Sequence, residues 1–265
     1  MYRLNHYARR FPLATVLFLT LAQHATAQSN TKDWSGPYFG AFLGGAIGSS
    51  ISSTEPTDEG GDAPFTDNTG GENYSTNPSF MGGLTLGYNY MLDQVPVILG
   101  FEGEYGYLSL QGSANDHNDI GSDVTGNYST NIGGGYGYSV FGGRLGYAIG
   151  SAMLFAKAGG AITNVTSSYS FRNLSEDISS PNHSTQNNKL GFAVGGGLEF
   201  FLPYEILDNV SLKLEYLYLG INQSQTLSET VKYYDSGTEF AEANYTSTTH
   251  ITGVHTGKLG LNYHF

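Results

Sequence analysis

The sequence predicts an all-β protein, an eight-stranded antiparallel transmembrane β-barrel with short periplasmic turns and long extracellular loops. Three observations carry this reading. Apolar or aromatic side chains alternate with Gly, Thr, Asn or charge, at period 2, over eight segments of about a dozen residues. The links between these segments are alternately long and short. After the N-terminal region no apolar run approaches the roughly 18 to 20 residues that a spanning helix needs, whereas a spanning strand needs only about 9 to 11.

The first segment of the chain is set apart from the fold. Arg3, Arg9 and Arg10 precede an apolar run from Phe11 to Ala22 and the small residues Ala25-Thr26-Ala27, the order of a secretory signal peptide. Residues 1–27 are therefore expected to direct export, and residues 28–265 to form the barrel domain. Without the signal peptide the basic residues fall from 11 to 8 against 23 acidic ones, so the mature net charge is −15. A chain this acidic repels phosphate backbones, which argues against nucleic acid as a partner. It has no cysteine, which fits an exported protein that forms no disulfides.

The eight segments lie near 36–48, 79–91, 97–110, 137–149, 152–164, 189–201, 210–222 and 250–265. Long polar connections at about 49–78, 111–136, 165–188 and 223–249 alternate with short links at 92–96, 150–151 and 202–209. A soluble sandwich has no reason to alternate in this way. Short turns on one side and long loops on the other are the outer-membrane pattern, with both termini on the short-turn side.

Each segment divides into two faces. In the second, Phe80, Leu84, Leu86, Tyr88 and Tyr90 oppose Gly83, Thr85, Gly87 and Asn89; in the third, Leu99, Phe101, Tyr105 and Tyr107 oppose Glu102 and Glu104. The same parity places Arg144, Lys157, Lys189, Glu199, Lys213, Glu215 and Lys258 opposite apolar neighbours. A slip of one residue would turn these charges toward lipid, at about 2–4 kcal/mol for each Lys or Arg near the midplane. The charges therefore face the lumen. An eight-stranded barrel is only wide enough for side chains to fill, so the charges should form a mutually paired polar plug. Glu102 with Arg144, Glu199 with Lys213, and Glu215 with Lys258 are the expected pairs. Aromatic residues near strand ends suit interfacial girdles: Trp34, Tyr38, Tyr88, Tyr90, Tyr263 and Phe265 at the periplasmic side, and Tyr105, Tyr107, Tyr138 and Tyr218 at the outer side.

These residues also carry a resemblance. Trp34-Ser35-Gly36-Pro37-Tyr38-Phe39-Gly40 resembles the W-x-G-x-Y-x-G opening of the small outer-membrane β-barrel family, which includes outer-membrane immunogenic and hemin-binding surface proteins. Gly195-Gly196-Gly197-Leu198-Glu199-Phe200 is similar to its G-x-G-x-E-aromatic strand, and Gly260-Leu261-Asn262-Tyr263-His264-Phe265 to its terminal strand. The resemblance spans the mature chain and implies a location in the bacterial outer membrane. It also implies that the barrel-assembly machinery reads the C-terminal strand.

Catalytic, metal and cofactor motifs are not recognisable. The mature histidines His117, His183, His250, His255 and His264 are scattered, without metal-ligand spacing, although the hemin-binding relatives keep hemin as an alternative ligand. Glu55, Asp58, Glu59, Asp62, Asp67 and Glu72 make the first loop acidic without the spacing of a calcium loop, so a solvated loop is the simpler reading. There is no G-x-S-x-G, and triads are recognised only by geometry. The expectation is a non-enzymatic surface protein with no cofactor and no metal, contributing to envelope integrity. Its partners would be outer-membrane lipid and lipopolysaccharide. A small porin-like channel is the competing reading, and a lipid-modifying enzyme a further one.

Overall fold

The computed structural model describes residues 31–48, 51–54, 71–117, 124–134, 137–173, 178–179, 183–202, 207, 209–235 and 238–265. The expected signal peptide and Glu55, Asp58, Glu59, Asp62 and Asp67 lie outside the described residues. The strands are β1 (Gly36–Gly48), β2 (Ile51–Thr54), β3 (Gly71–Tyr74), β4 (Ser79–Met91), β5 (Val97–Leu108), β6 (Leu110–His117) and β7 (Val124–Ile132), then β8 (Tyr138–Ile149), β9 (Ala152–Asn173), β10 (Ile178–Ser179), β11 (His183–Phe201), β12 (Val210–Asp235) and β13 (Thr238–His264).

Eight of them form a closed antiparallel wall in the order β1-β4-β5-β8-β9-β11-β12-β13. Closure comes from β13 pairing back onto β1, from Tyr38 opposite His264 to Gly48 opposite Val254. A closed wall leaves no free edge, so every strand finds its backbone partners within the barrel.

The wall reaches further than periodicity indicates. Where polar loops are expected from 165 and from 223, β9 continues to Asn173 and the β12–β13 pair continues to Asp235 and Thr238. The β6–β7 hairpin joins this extension through β7 and β9, and the β2–β3 hairpin, which includes Glu72, joins it through β2 and β13. Polarity hides these strands because both faces carry hydroxyl and amide groups. Cross-strand contacts such as Ser129 Oγ with Ser168 Oγ at 2.6 Å and Thr226 Oγ1 with Thr248 Oγ1 at 3.2 Å replace an apolar face. A β-bulge lies between Gly220 and Gln223, near the base of this extension, with Asn222 at φ 39° in the left-handed region that Asn tolerates.

The two faces of the wall differ sharply. Leu84, Leu86, Leu99, Phe101, Leu145, Leu198, Leu214, Leu259 and Leu261 are exposed on the outside, Leu86 at 63% of its surface. An apolar belt of this size is untenable in water. Tyr88, Tyr90, Tyr263 and Phe265 lie on this outer face toward the short-turn end.

Three aromatic residues depart from the girdle expectation. Tyr38 and Trp34 are fully buried, and Tyr138 is 2% exposed; all three point inward. In β1 both faces are apolar and no charge marks the lumen, so alternation alone could not decide that Tyr38 goes in with Phe42. Tyr138 shares the parity of Arg144 in β8, which was a usable sign. Trp34 precedes the strand: Gly36, at φ 124°, turns the chain so that the segment before β1 folds across the barrel mouth. Lys32 N–H donates to the carbonyl of Gly150, in the β8–β9 turn, at 3.1 Å.

Candidate functional site

The lumen holds three layers. At the short-turn end Trp34, Ile98, Ala148, Met153, Phe155 and Phe201 form a buried apolar layer. The Trp34 and Phe201 rings sit 4.4 Å apart, and the His264 ring meets Phe201 at 4.8 Å. Toward the other end a larger apolar layer includes Phe42, Met81, Leu108, Val140, Leu217 and Leu219.

Between them lies a charged layer. It has four cations (Arg144, Lys157, Lys213 and Lys258) and four carboxylates (Glu102, Glu104, Glu199 and Glu215), all buried. They come from β5, β8, β9, β11, β12 and β13, and each stands in its strand with lumen parity.

Glu102 is the hub. It receives Lys157, Lys213 at 3.0 Å, Arg144 at 3.4 Å and the Tyr38 hydroxyl at 2.7 Å. Lys157 also reaches Glu104 at 2.5 Å, and Lys258 joins Glu104 at 2.6 Å and Glu215. Lys213 lies 3.5 Å from Glu215. Arg144 pairs with Glu199 and lies over the Phe155 ring, 4.1 Å from its centroid. Glu199 further accepts from Ser211 at 2.5 Å and from the Asn262 amide at 2.6 Å. Each of the four carboxylates therefore meets more than one cation or donor, the condition under which buried charge is tolerable.

The expected pairs Glu102 with Arg144 and Glu215 with Lys258 are in contact. Glu199 and Lys213 stand opposite each other on β11 and β12, but Glu199 engages Arg144 while Lys213 turns to Glu102 and Glu215. Side-chain reach decides this, since a long lysine is not bound to the residue facing its own Cα. Lys189 is a correction. It has lumen parity, but it lies ten residues along β11 from Glu199, roughly 33 Å of strand. It is half-buried there and donates to the Ser224 carbonyl at 3.4 Å, outside the charged layer.

Two arrangements invite a chemical reading. Glu102, Glu104 and Glu215 bring carboxylate oxygens within 4.8 Å of one another, as a metal site would. The ammonium groups of Lys157, Lys213 and Lys258 stand among them and supply the positive charge instead. Ser211, His264 and Glu199 also meet: Ser211 Oγ lies 3.0 Å and Glu199 Oε1 3.3 Å from the same His264 Nε2. A catalytic triad needs the acid on the other ring nitrogen, and all three groups are buried.

The family model of the outer membrane protein beta-barrel domain matches residues 12–265. The chain belongs to this family. It is accordingly a protein of the bacterial outer membrane. It is 28% identical over 243 residues to a 31 kDa outer-membrane immunogenic protein of Brucella melitensis, covering 90% of this chain and 87% of that one. A protein of the same description in Brucella suis matches equally. Among solved structures it is similar to the outer membrane protein OprG of Pseudomonas aeruginosa, with TM-score 0.48, 11% identity, and coverage of 87% of this chain and 98% of that one. It is also similar to Ail, the attachment invasion locus protein of Yersinia pestis, with TM-score 0.34, 15% identity, and coverage of 87% and 99%.

Membrane placement assigns the exposed belt to lipid. Leu259, about six residues along β13 from the C-terminus, sits near mid-height of the band. Leu259→Arg is expected to lower the unfolding free energy of the barrel in lipid vesicles by about 2–4 kcal/mol, read from urea titrations. Tolerance of the substitution would place this face away from lipid.

Proposed function

We propose that this protein is a closed, non-conducting barrel that contributes to envelope integrity and presents its extracellular strands and loops for surface interactions. The observation that carries the reading is the neutral set of four cations and four carboxylates held between two apolar layers. An ion crossing the lumen would have to part a multiply bonded cluster and enter two apolar layers, each costly in a medium of low dielectric. In this reading the lumen stabilises the wall and no catalytic activity is assigned to it. The surface partner is the lipopolysaccharide around the extracellular end. The C-terminal strand, ending on Phe265, is the segment that the barrel-assembly machinery engages.

Planar-bilayer recording of the refolded protein tests this. The expected record has no stable conductance steps across the physiological voltage range. Large, long-lived steps would replace the closed barrel with a small porin-like channel.

A further inference from the structure

The outer wall has a groove that the barrel itself does not require. It is about 530 Å³ in volume and is bounded by Ile47, Phe80, Tyr216 and His255, with Gly45 and Gly257 at its floor. Its origin is visible in the strand register. Tyr216, Gly257, Gly45 and Phe80 stand side by side across β12, β13, β1 and β4. Two adjacent positions without side chains thus lie between two aromatic rings, with Leu43 opposite Leu259 in the row below and Ile47 opposite His255 in the row above.

Most glycines of the wall are demanded by packing; a Cβ on Gly197 would lie 2.0 Å from the Leu214 carbonyl oxygen. Gly257 and Gly45, like Gly103 and Gly143, are not, and of these Gly45 and Gly257 stand opposite each other. A Cβ on Gly257 would meet nothing within 4 Å, and one on Gly45 only the Ser79 carbonyl oxygen at 3.8 Å. Glycine weakens a strand, so two unforced glycines in contact leave space for something outside the chain.

The position limits what that is. Gly257 lies eight residues from Phe265, which at about 3.3 Å per residue and a tilt near 40° is roughly 20 Å above the short-turn end of an apolar band about 25 Å tall. The groove therefore opens to the outer leaflet and is continuous with the lipid-facing wall. At its upper rim the Tyr216 hydroxyl and His255 Nδ1 are 2.6 Å apart, a polar pair at the depth where acyl chains give way to head groups. We propose that this groove binds one acyl chain of an outer-leaflet glycolipid of the lipid A class, with the head group beside His255 and Tyr216. The inference rests on the placement in the outer membrane and is independent of whether the lumen conducts.

Native mass spectrometry of the full refolded chain in detergent tests it, with purified lipid A and a diacyl phospholipid as competing probes. Gly257→Leu and Gly45→Val fill the groove. Gly143→Leu adds similar bulk at an outward position where a Cβ also meets nothing within 4 Å, outside the groove. Heat-modifiable gel mobility verifies that each variant folds. The expected result is one retained lipid A on the wild type and on Gly143→Leu, with retention weakened on the order of tenfold in both groove-filling variants. Equal retention by all four proteins would overturn the proposal, as would preferential retention of the phospholipid. A dimer peak lost in the groove-filling variants, without a lipid adduct, would assign the groove to a second copy of the chain and overturn it too.

Discussion

Glu102→Gln will destabilise the folded barrel by about 3–5 kcal/mol, the range for removing one partner of a buried ion pair. The substitution keeps the shape of the side chain and removes only its charge. Three cations, Arg144, Lys157 and Lys213, then lose their common partner, and the buried layer changes from neutral to a net charge of +1. No other carboxylate can move in, because Glu104, Glu199 and Glu215 are already committed to Lys258, Lys157 and Arg144. Urea unfolding in lipid vesicles measures the loss. The double variant Glu102→Gln/Lys213→Met restores neutrality and should lose less than Glu102→Gln alone. Wild-type stability of Glu102→Gln would mean that the layer is hydrated, and the closed-lumen reading would fall with it.

Trp34→Ala should cost a similar amount, about 3–5 kcal/mol, as expected for truncating a large, fully buried aromatic side chain. Trp34 is the chain's one tryptophan and fills the short-turn mouth against Phe201 and His264. The heat-modifiable gel transition of Trp34→Ala should therefore fall to lower temperature. Intrinsic fluorescence supplies a separate check on the placement. A lumen tryptophan is shielded both from aqueous iodide and from brominated acyl chains, whereas a girdle tryptophan is quenched by the brominated lipid. Strong quenching by brominated lipid would return Trp34 to the membrane interface.

What could be read in advance depended on whether one face of a strand carried charged or polar residues. In β5, β8, β9, β11, β12 and β13 the Glu, Lys or Arg residues of the spanning segment mark one face as the lumen, and the parity of the whole strand follows because side chains alternate strictly. β1 has no such marker. Phe39, Ala41 and Leu43 face lipid while Tyr38, Phe42 and Ala46 face the interior, and composition does not distinguish the two sets. The apolar layers above and below the charges were missed for the same reason. Met81, Ile98, Leu217 and Leu219 are as apolar as the lipid-facing residues, so only their burial identifies them. The extracellular strands were hidden by polarity, since Ser, Thr and Asn ladders read as loops until cross-strand partners are known.

The wall is legible in the spacing of the residues alone. Period-2 alternation, eight segments and alternating link lengths point to a closed antiparallel barrel, because strands with an apolar outer face have no other way to satisfy their backbone in lipid. Closure of the barrel sets how the interior is filled. Which carboxylate meets which cation depends on the shear of the closed barrel and on the reach of long side chains, neither of which is encoded in spacing along one strand. The tertiary structure places Trp34 across the mouth, removes Lys189 from the charged layer and sets Gly45 beside Gly257. That last contact joins residues more than two hundred positions apart in the chain, and it exists only because β13 closes onto β1.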